Sequence, residues 1–252
     1  MHSLAITPRI PLAVSFAGLE PGESVRERLS WAASCGFRGV ALDAANTQTR
    51  PRELGSSARR DLAAVLRRHE LTLAGIDLWI PAAHFVDPAR CDRAIESAVQ
   101  AIDLASELAP LAGGRALVSV SLPRGEGAGR AAAALAGRAA AVGAIVADHA
   151  VPIDDLGLGP RWIGIDPAAI IVAGQDPAAA LMTRGEQVAA ARLSDIDAGG
   201  RVEPGAGRLD SLAYVVGVSM RTDLWPAIVD LRGVREQDAA ARRILERWAS
   251  VE

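Results

Sequence analysis

The chain has 252 residues, half of them hydrophobic and 23% charged, a length and balance that suit one large globular domain and exclude a fibrous or disordered chain. Its formal net charge of −3 provides no basic field to gather nucleic acid or an anionic membrane. All 27 basic residues are arginine, which excludes Schiff-base chemistry, pyridoxal phosphate and a Walker A loop, each of which needs a lysine amine.

In chain order, short apolar runs alternate with helical patterns. LAVSF (12–16) precedes an amphipathic stretch from Ser24 to Gly36, with Ser24 and Glu27 spaced as a capping box and Gly36 as a stop. GVALDA (39–44), a helix over 56–70, LTLAGIDLWI (71–80) and a helix over about 92–109 follow. ALVSVSLP (116–123), a helix over about 130–142 and AIVADHA (144–150) come next. The segment 151–161 is rich in proline, glycine and acids, so the helix after the fifth strand is reduced or missing. WIGID (162–166), a helix near 176–183, VAAARLSD (188–195), a helix near 210–219, AIVDLR (227–232) and a helix near 237–249 complete the chain.

Eight strand-helix units of this kind predict an α/β fold, a single (β/α)₈ TIM barrel over 1–252 with no dividing linker. A doubly wound open sheet is the competitor, but AGLEPGES after the first strand has no glycine fingerprint. The four histidines are His2, His69, His84 and His149, too few for a three-histidine zinc site unless nearly all converge. Cys35 and Cys91 have no C-x-x-C spacing. With Pro8, Arg9, Pro11 and Glu20 interrupting the first apolar pieces, a reduced, soluble, cytoplasmic protein is the expectation.

In a barrel the chemistry sits where strands end. Asp43, His84, Asp148 with His149, Asp166 and Asp230 stand just past successive runs, and the seventh ends with Arg192 and Asp195. Converging carboxylates and an imidazole would suit Mg²⁺ or Mn²⁺ or serve as acid and base. Each aspartate alone equally fits a helix cap or turn. Arg192 would repel a metal but grip a substrate anion, or pair with Asp166 or Asp195. His84 and Trp79 are candidates for lining a substrate pocket, and His69 sits at a helix end. GEGAGR (125–130) and GAGR (205–208) are weak anion-cradle patterns, better read as flexible loops.

The order AVSF, SVRERLSWAASCGFRGVALDA, AGIDL, IGIDPAAIIVAGQDPAAAL, ARLSD with GAGRLD, then IVDLRG resembles the xylose isomerase-like barrel family of sugar phosphate isomerases and epimerases. The resemblance implies one divalent metal and proton transfer between adjacent carbons of a sugar. Carried over, Asp148 and Asp230 would be the proton-transfer acids, and Asp148, Asp166 and Asp230 with His149 the metal ligands. The family's histidine falls on Arg192, so the metal centre is degenerate or absent and Arg192 anchors an acidic substrate end. A sugar isomerase or epimerase is thus the first expectation. A sugar- or partner-binding barrel without catalysis is the second. A DNA-repair endonuclease of the superfamily would need more histidines and a basic groove. The barrel's exposed helices suit a homodimer.

Overall fold

The computed structural model describes residues 10–20 and 24–250. Eight parallel strands close into a barrel in the order β1-β10-β7-β6-β5-β4-β3-β2. They are β1 (Leu12–Ser15), β2 (Gly39–Asp43), β3 (Thr72–Asp77), β4 (Leu117–Val120), β5 (Ile145–Asp148), β6 (Ile163–Ile165), β7 (Val188–Leu193) and β10 (Ala227–Val229). An antiparallel hairpin, β8 (Asp195–Asp197) and β9 (Gly200–Val202), grows directly from the end of β7. The single TIM barrel read from the alternating pattern is the fold observed.

Around the barrel lie α1 (Val25–Cys35), α2 (Ser56–Arg68), α3 (Cys91–Ala112), α4 (Ala128–Val142), α5 (Pro167–Val172), α6 (Pro177–Arg184), α7 (Ser211–Ser219) and α8 (Gln237–Ser250). Local chemistry sets their ends. Ser24 and Glu27 form the expected capping box on α1, and Gly36 ends that helix at a φ of 106° that favours glycine. Asp176 and Asp210 accept backbone N–H groups at the starts of α6 and α7. No helix occupies residues 149–162, as the proline- and glycine-rich segment predicts, and two short helices, α5 and α6, share the connection from β6 to β7. No described helix is long and apolar enough to cross a membrane.

The core has two shells. The outer shell packs helices against strands and holds most of the large residues, among them Leu29, Leu66, Ile102, Leu104 and Val120. The inner shell is made chiefly of small residues, including Ala13, Ala41, Ala147, Ala190 and Ile228. Because strand side chains alternate with period two, the residue two places beyond each inner one also points inward. In β1, β2, β4, β7 and β10 this adds Ser15, Asp43, Ser119, Arg192 and Asp230 one layer higher. Gly75 leads to Asp77, Ala147 to His149 and Gly164 to Asp166 in the same way. Small residues below and polar ones above are what open the C-terminal end of the barrel to chemistry.

Candidate functional site

The polar layer is knit by charge. Arg192 is fully buried and its guanidinium reaches Asp77 on one side and Asp230 on the other, at 3.4 Å. Asp77 also accepts a hydrogen bond from the Ser15 hydroxyl at 2.5 Å. Arg232, two residues past Asp230, closes back on it with Nη2 at 2.5 Å and reaches Asp166 at 3.3 Å. Arg201, delivered by the β8–β9 hairpin, binds Asp166 at 2.5 Å and approaches Asp230 at 3.6 Å. Ser194 donates to the other Asp166 oxygen at 2.5 Å. Three guanidiniums and three carboxylates thus balance in one buried network.

Burial works against the charge on Asp230, but the Arg232 hydrogen bond and the fields of Arg192, Arg232 and Arg201 outweigh it and hold the carboxyl well below the ordinary range. Asp230 therefore remains an anion. Arg232 keeps its charge for the reciprocal reason: burial opposes it most strongly, and the Asp230 hydrogen bond together with the fields of Asp230, Asp166 and Asp77 outweighs burial.

His149 enters the same layer on a different footing. Its Nε2 lies 3.2 Å from the Ser119 hydroxyl, while its Nδ1 is buried with no hydrogen-bond partner. Burial, reinforced by the positive fields of Arg192 and Arg232, pushes the imidazole well below its ordinary pKa, so it is neutral at pH 7. The ring sits where a Cβ on Gly164 would come within 2.4 Å of it, which is why WIGID carries glycine between its two isoleucines. Trp79 meets the imidazole edge-on with ring centroids 5.5 Å apart. The same indole stacks under two guanidiniums, Arg232 at 4.0 Å and Arg192 at 4.7 Å.

A cavity of about 550 Å³ opens above this layer, within the size range of small-molecule sites. Ala82, Arg124, His149, Ala169, Ile196 and Arg201 contribute to its wall. Side-chain exposures of 16% for Arg124, 24% for Arg201 and 23% for Arg232, against 0% for Arg192, show which cations can meet a ligand. Arg192 is therefore a strut inside the barrel.

The residues expected to share the site divide. Asp166, Asp230, Arg192, His149 and Trp79 converge, and Arg192 is ion-paired, though to Asp77 and Asp230 where the sequence suggests Asp166 or Asp195. Asp148 does not join them. In register it pairs with Val120 and Ile163 of the outer shell, so the period of the strand turns its carboxylate away from the axis. There it accepts the Leu122 and Ala150 amides at 3.0 and 3.1 Å and pairs with Arg124 at 2.8 Å. Burial pushes its pKa up against those contacts. Asp43 accepts the Ala45 amide in a turn at 2.8 Å, with burial raising its pKa. His84 lies beyond Trp79, hydrogen-bonded to Arg90 at 2.7 Å.

Asp195 serves the backbone. Its carboxylate accepts the amides of Gly205, Gly207, Arg208 and Leu209 at 2.8–3.0 Å. The GAGR segment does cradle an anion, and the anion is the chain's own. Asp77, Arg201, Arg232 and Arg124 are site residues beyond those expected from the sequence. Asp77 could have been found, since it ends its strand in phase with Gly75.

A divalent cation does not fit this arrangement. The oxygens of Asp166 and Asp230 already accept from serine, arginine or backbone donors, Asp148 faces elsewhere, and three guanidiniums surround the place a cation would need. Among the described residues no group of three or more histidine, cysteine, aspartate or glutamate side chains is arranged to hold a metal ion.

No family model and no curated protein matches the chain. Solved structures do. The probable 3-DHS dehydratase AsbF from Bacillus anthracis superposes with a TM-score of 0.73 at 13% identity, covering 96% of this chain and 100% of that one. D-Psicose 3-epimerase with D-tagatose, from Clostridium cellulolyticum H10, gives a TM-score of 0.72 at 14% identity over 96% of this chain and 99% of that one. A xylose isomerase domain protein from Planctomyces limnophilus gives 0.69 at 14% identity, over 96% and 95%. At such identities the likeness is one of architecture: the chain shares the (β/α)₈ barrel fold of these structures.

Proposed function

We propose that the protein takes a sugar or sugar-derived acid into the cavity above His149 and isomerises or epimerises it by proton transfer between adjacent carbons, without a divalent metal. The observation that carries this reading is a neutral imidazole, its Nδ1 buried and unpartnered, belonging to a residue that lines a cavity into which Arg201 also projects. In the proposed step Nδ1 takes the proton from the carbon next to the substrate carbonyl, and the C–H electron pair moves into an enediolate. Arg201 and Arg124 stabilise the oxygen charge that a metal would otherwise carry. The imidazolium then returns the proton to the neighbouring carbon while the remaining hydroxyl proton of the enediolate passes to the other oxygen, which restores a carbonyl on the first carbon. Surrounding guanidiniums disfavour the imidazolium, which speeds that return. His149 takes this role in preference to Asp148 and Asp230, because the Asp230 lone pairs are held by guanidiniums and the Asp148 carboxylate faces away from the axis.

The test is proton exchange. Wild-type protein incubated in D₂O with a panel of ketoses, aldoses and sugar acids should wash deuterium into one carbon, read by NMR, and His149→Gln should lower that rate by about 10² or more. Absence of exchange across the panel would overturn the reading. Complete pairing of Asp77, Asp166 and Asp230 favours a second one, a barrel that binds sugars without converting them. Thermal stabilisation by a sugar acid with no isotope exchange would select it.

A further inference from the structure

On the far side of Trp79 lies a second cavity, of about 450 Å³. Four arginines line it, Arg50, Arg52, Arg90 and Arg93, together with His84, and no carboxylate does. The acids within reach stand outside the wall: Glu53 lies 3.1 Å from Arg52 and 3.9 Å from Arg50, and Asp87 lies 3.4 Å from Arg90. No ion pair or hydrogen bond engages the Arg93 side chain among the described residues. A guanidinium only donates, so the 2.7 Å contact between Arg90 Nη1 and His84 Nε2 makes Nε2 the acceptor and places the imidazole proton on Nδ1. His84 thus carries its proton on Nδ1, and its ring lines the same wall as the arginines. Positive side chains from the loop after β2, the loop after β3 and α3 thus converge on one concave surface.

We infer that this cavity is an anion subsite that holds a phosphate monoester. Arg93 and Arg90 would grip the phosphate, and the remainder of the molecule would pass Trp79 towards His149. The identity of that remainder rests on the sugar reading above; phosphate capture does not. Forked guanidinium donors match phosphate oxygens in pairs, and their charge is constant across the pH range in which phosphate is a dianion.

Calorimetric titration at low salt separates the two ideas because it requires no turnover. Inorganic phosphate should bind wild type, and a sugar 6-phosphate should bind about tenfold or more tightly than its parent sugar, a difference set by one well-paired anion. Arg93→Gln and Arg90→Gln should each weaken phosphate severalfold, and Arg68→Gln, exposed on α2, should not. Absence of phosphate binding, equal binding in all three variants, or the same gain from a carboxylate as from a phosphate would overturn the inference. Isotope exchange on an unphosphorylated sugar could persist in each of those cases, so failure of the subsite and failure of the proposed reaction are told apart.

Discussion

The imidazole of His149 lies against the bare backbone of Gly164, where a methyl group would come within 2.4 Å of three ring atoms. Only glycine leaves that space on the inner face of β6. Gly164→Ala should therefore push the ring out of its place between Ser119 and Trp79. Overpacking of this kind costs about 1–3 kcal/mol, and the expected result is a modest fall in Tm with a much larger proportional loss of any His149-dependent exchange. A variant that retains full activity would show that the ring position is immaterial.

Asp230 is the counter-ion most heavily used by the guanidinium cluster. Asp230→Asn leaves Arg192 and Arg232 short of charge inside the barrel, and loss of one partner from a buried ionic network costs about 3–5 kcal/mol. Since the folded carboxyl titrates below its unfolded value near 4, the wild-type advantage is complete above that value. It fades as pH falls through the folded pKa. Urea denaturation of both proteins from pH 7 down to pH 3 should show a gap that is constant in the upper range and narrows at the acid end.

His149 acts on the same acid side of the pH profile, beginning at a higher pH. The folded imidazole stays neutral where the unfolded one, near 6.5, takes up a proton. Stability should consequently drop as pH falls below about 6.5, with a limiting slope of about 1.4 kcal/mol per pH unit from this residue. In His149→Gln that component of the slope should vanish. A wild-type stability that is level from pH 7 to pH 5.5 would contradict the neutral, buried imidazole.

The metal question has a direct readout. With Arg192 standing where the family resemblance implies a histidine, millimolar Mn²⁺ or Mg²⁺ should leave Tm within about 1 °C of the metal-free value, since a ligand without a native-state site adds no linkage stabilisation. Exchange activity should be equally unmoved by a chelator. A concentration-dependent rise in Tm with either cation would require a site outside the network described.

Much of this was legible in the chain. Alternation of apolar runs with helical stretches gives the barrel, and the proline- and glycine-rich 151–161 gives the missing helix after β5. Asp166, Arg192 and Asp230 could be placed at one rim because each follows its run closely. What sequence reading handled less well was phase. Asp148 and His149 are neighbours, and only the inner position of Ala147 decides that the imidazole, and not the carboxylate, faces the axis. Asp77 obeys the same rule but lies inside the long apolar run LTLAGIDLWI, where the end of the strand is not marked. Arg201 has no strand-end signal because it arrives on a hairpin, and Arg232, although it ends the run AIVDLR, reaches the site only by folding back over Gly18, where a Cβ would lie 2.5 Å from its stem.

The four amides closed around the Asp195 carboxylate have a mechanical consequence. They staple residues 205–209 to the end of β7, and the β8–β9 hairpin is thereby anchored at both of its ends. Arg201 rides on an arm that is fixed before anything arrives, so the pocket is shaped in advance and needs no closing flap. Ligand capture should accordingly proceed in a single kinetic phase whose rate rises linearly with concentration and never reaches a plateau.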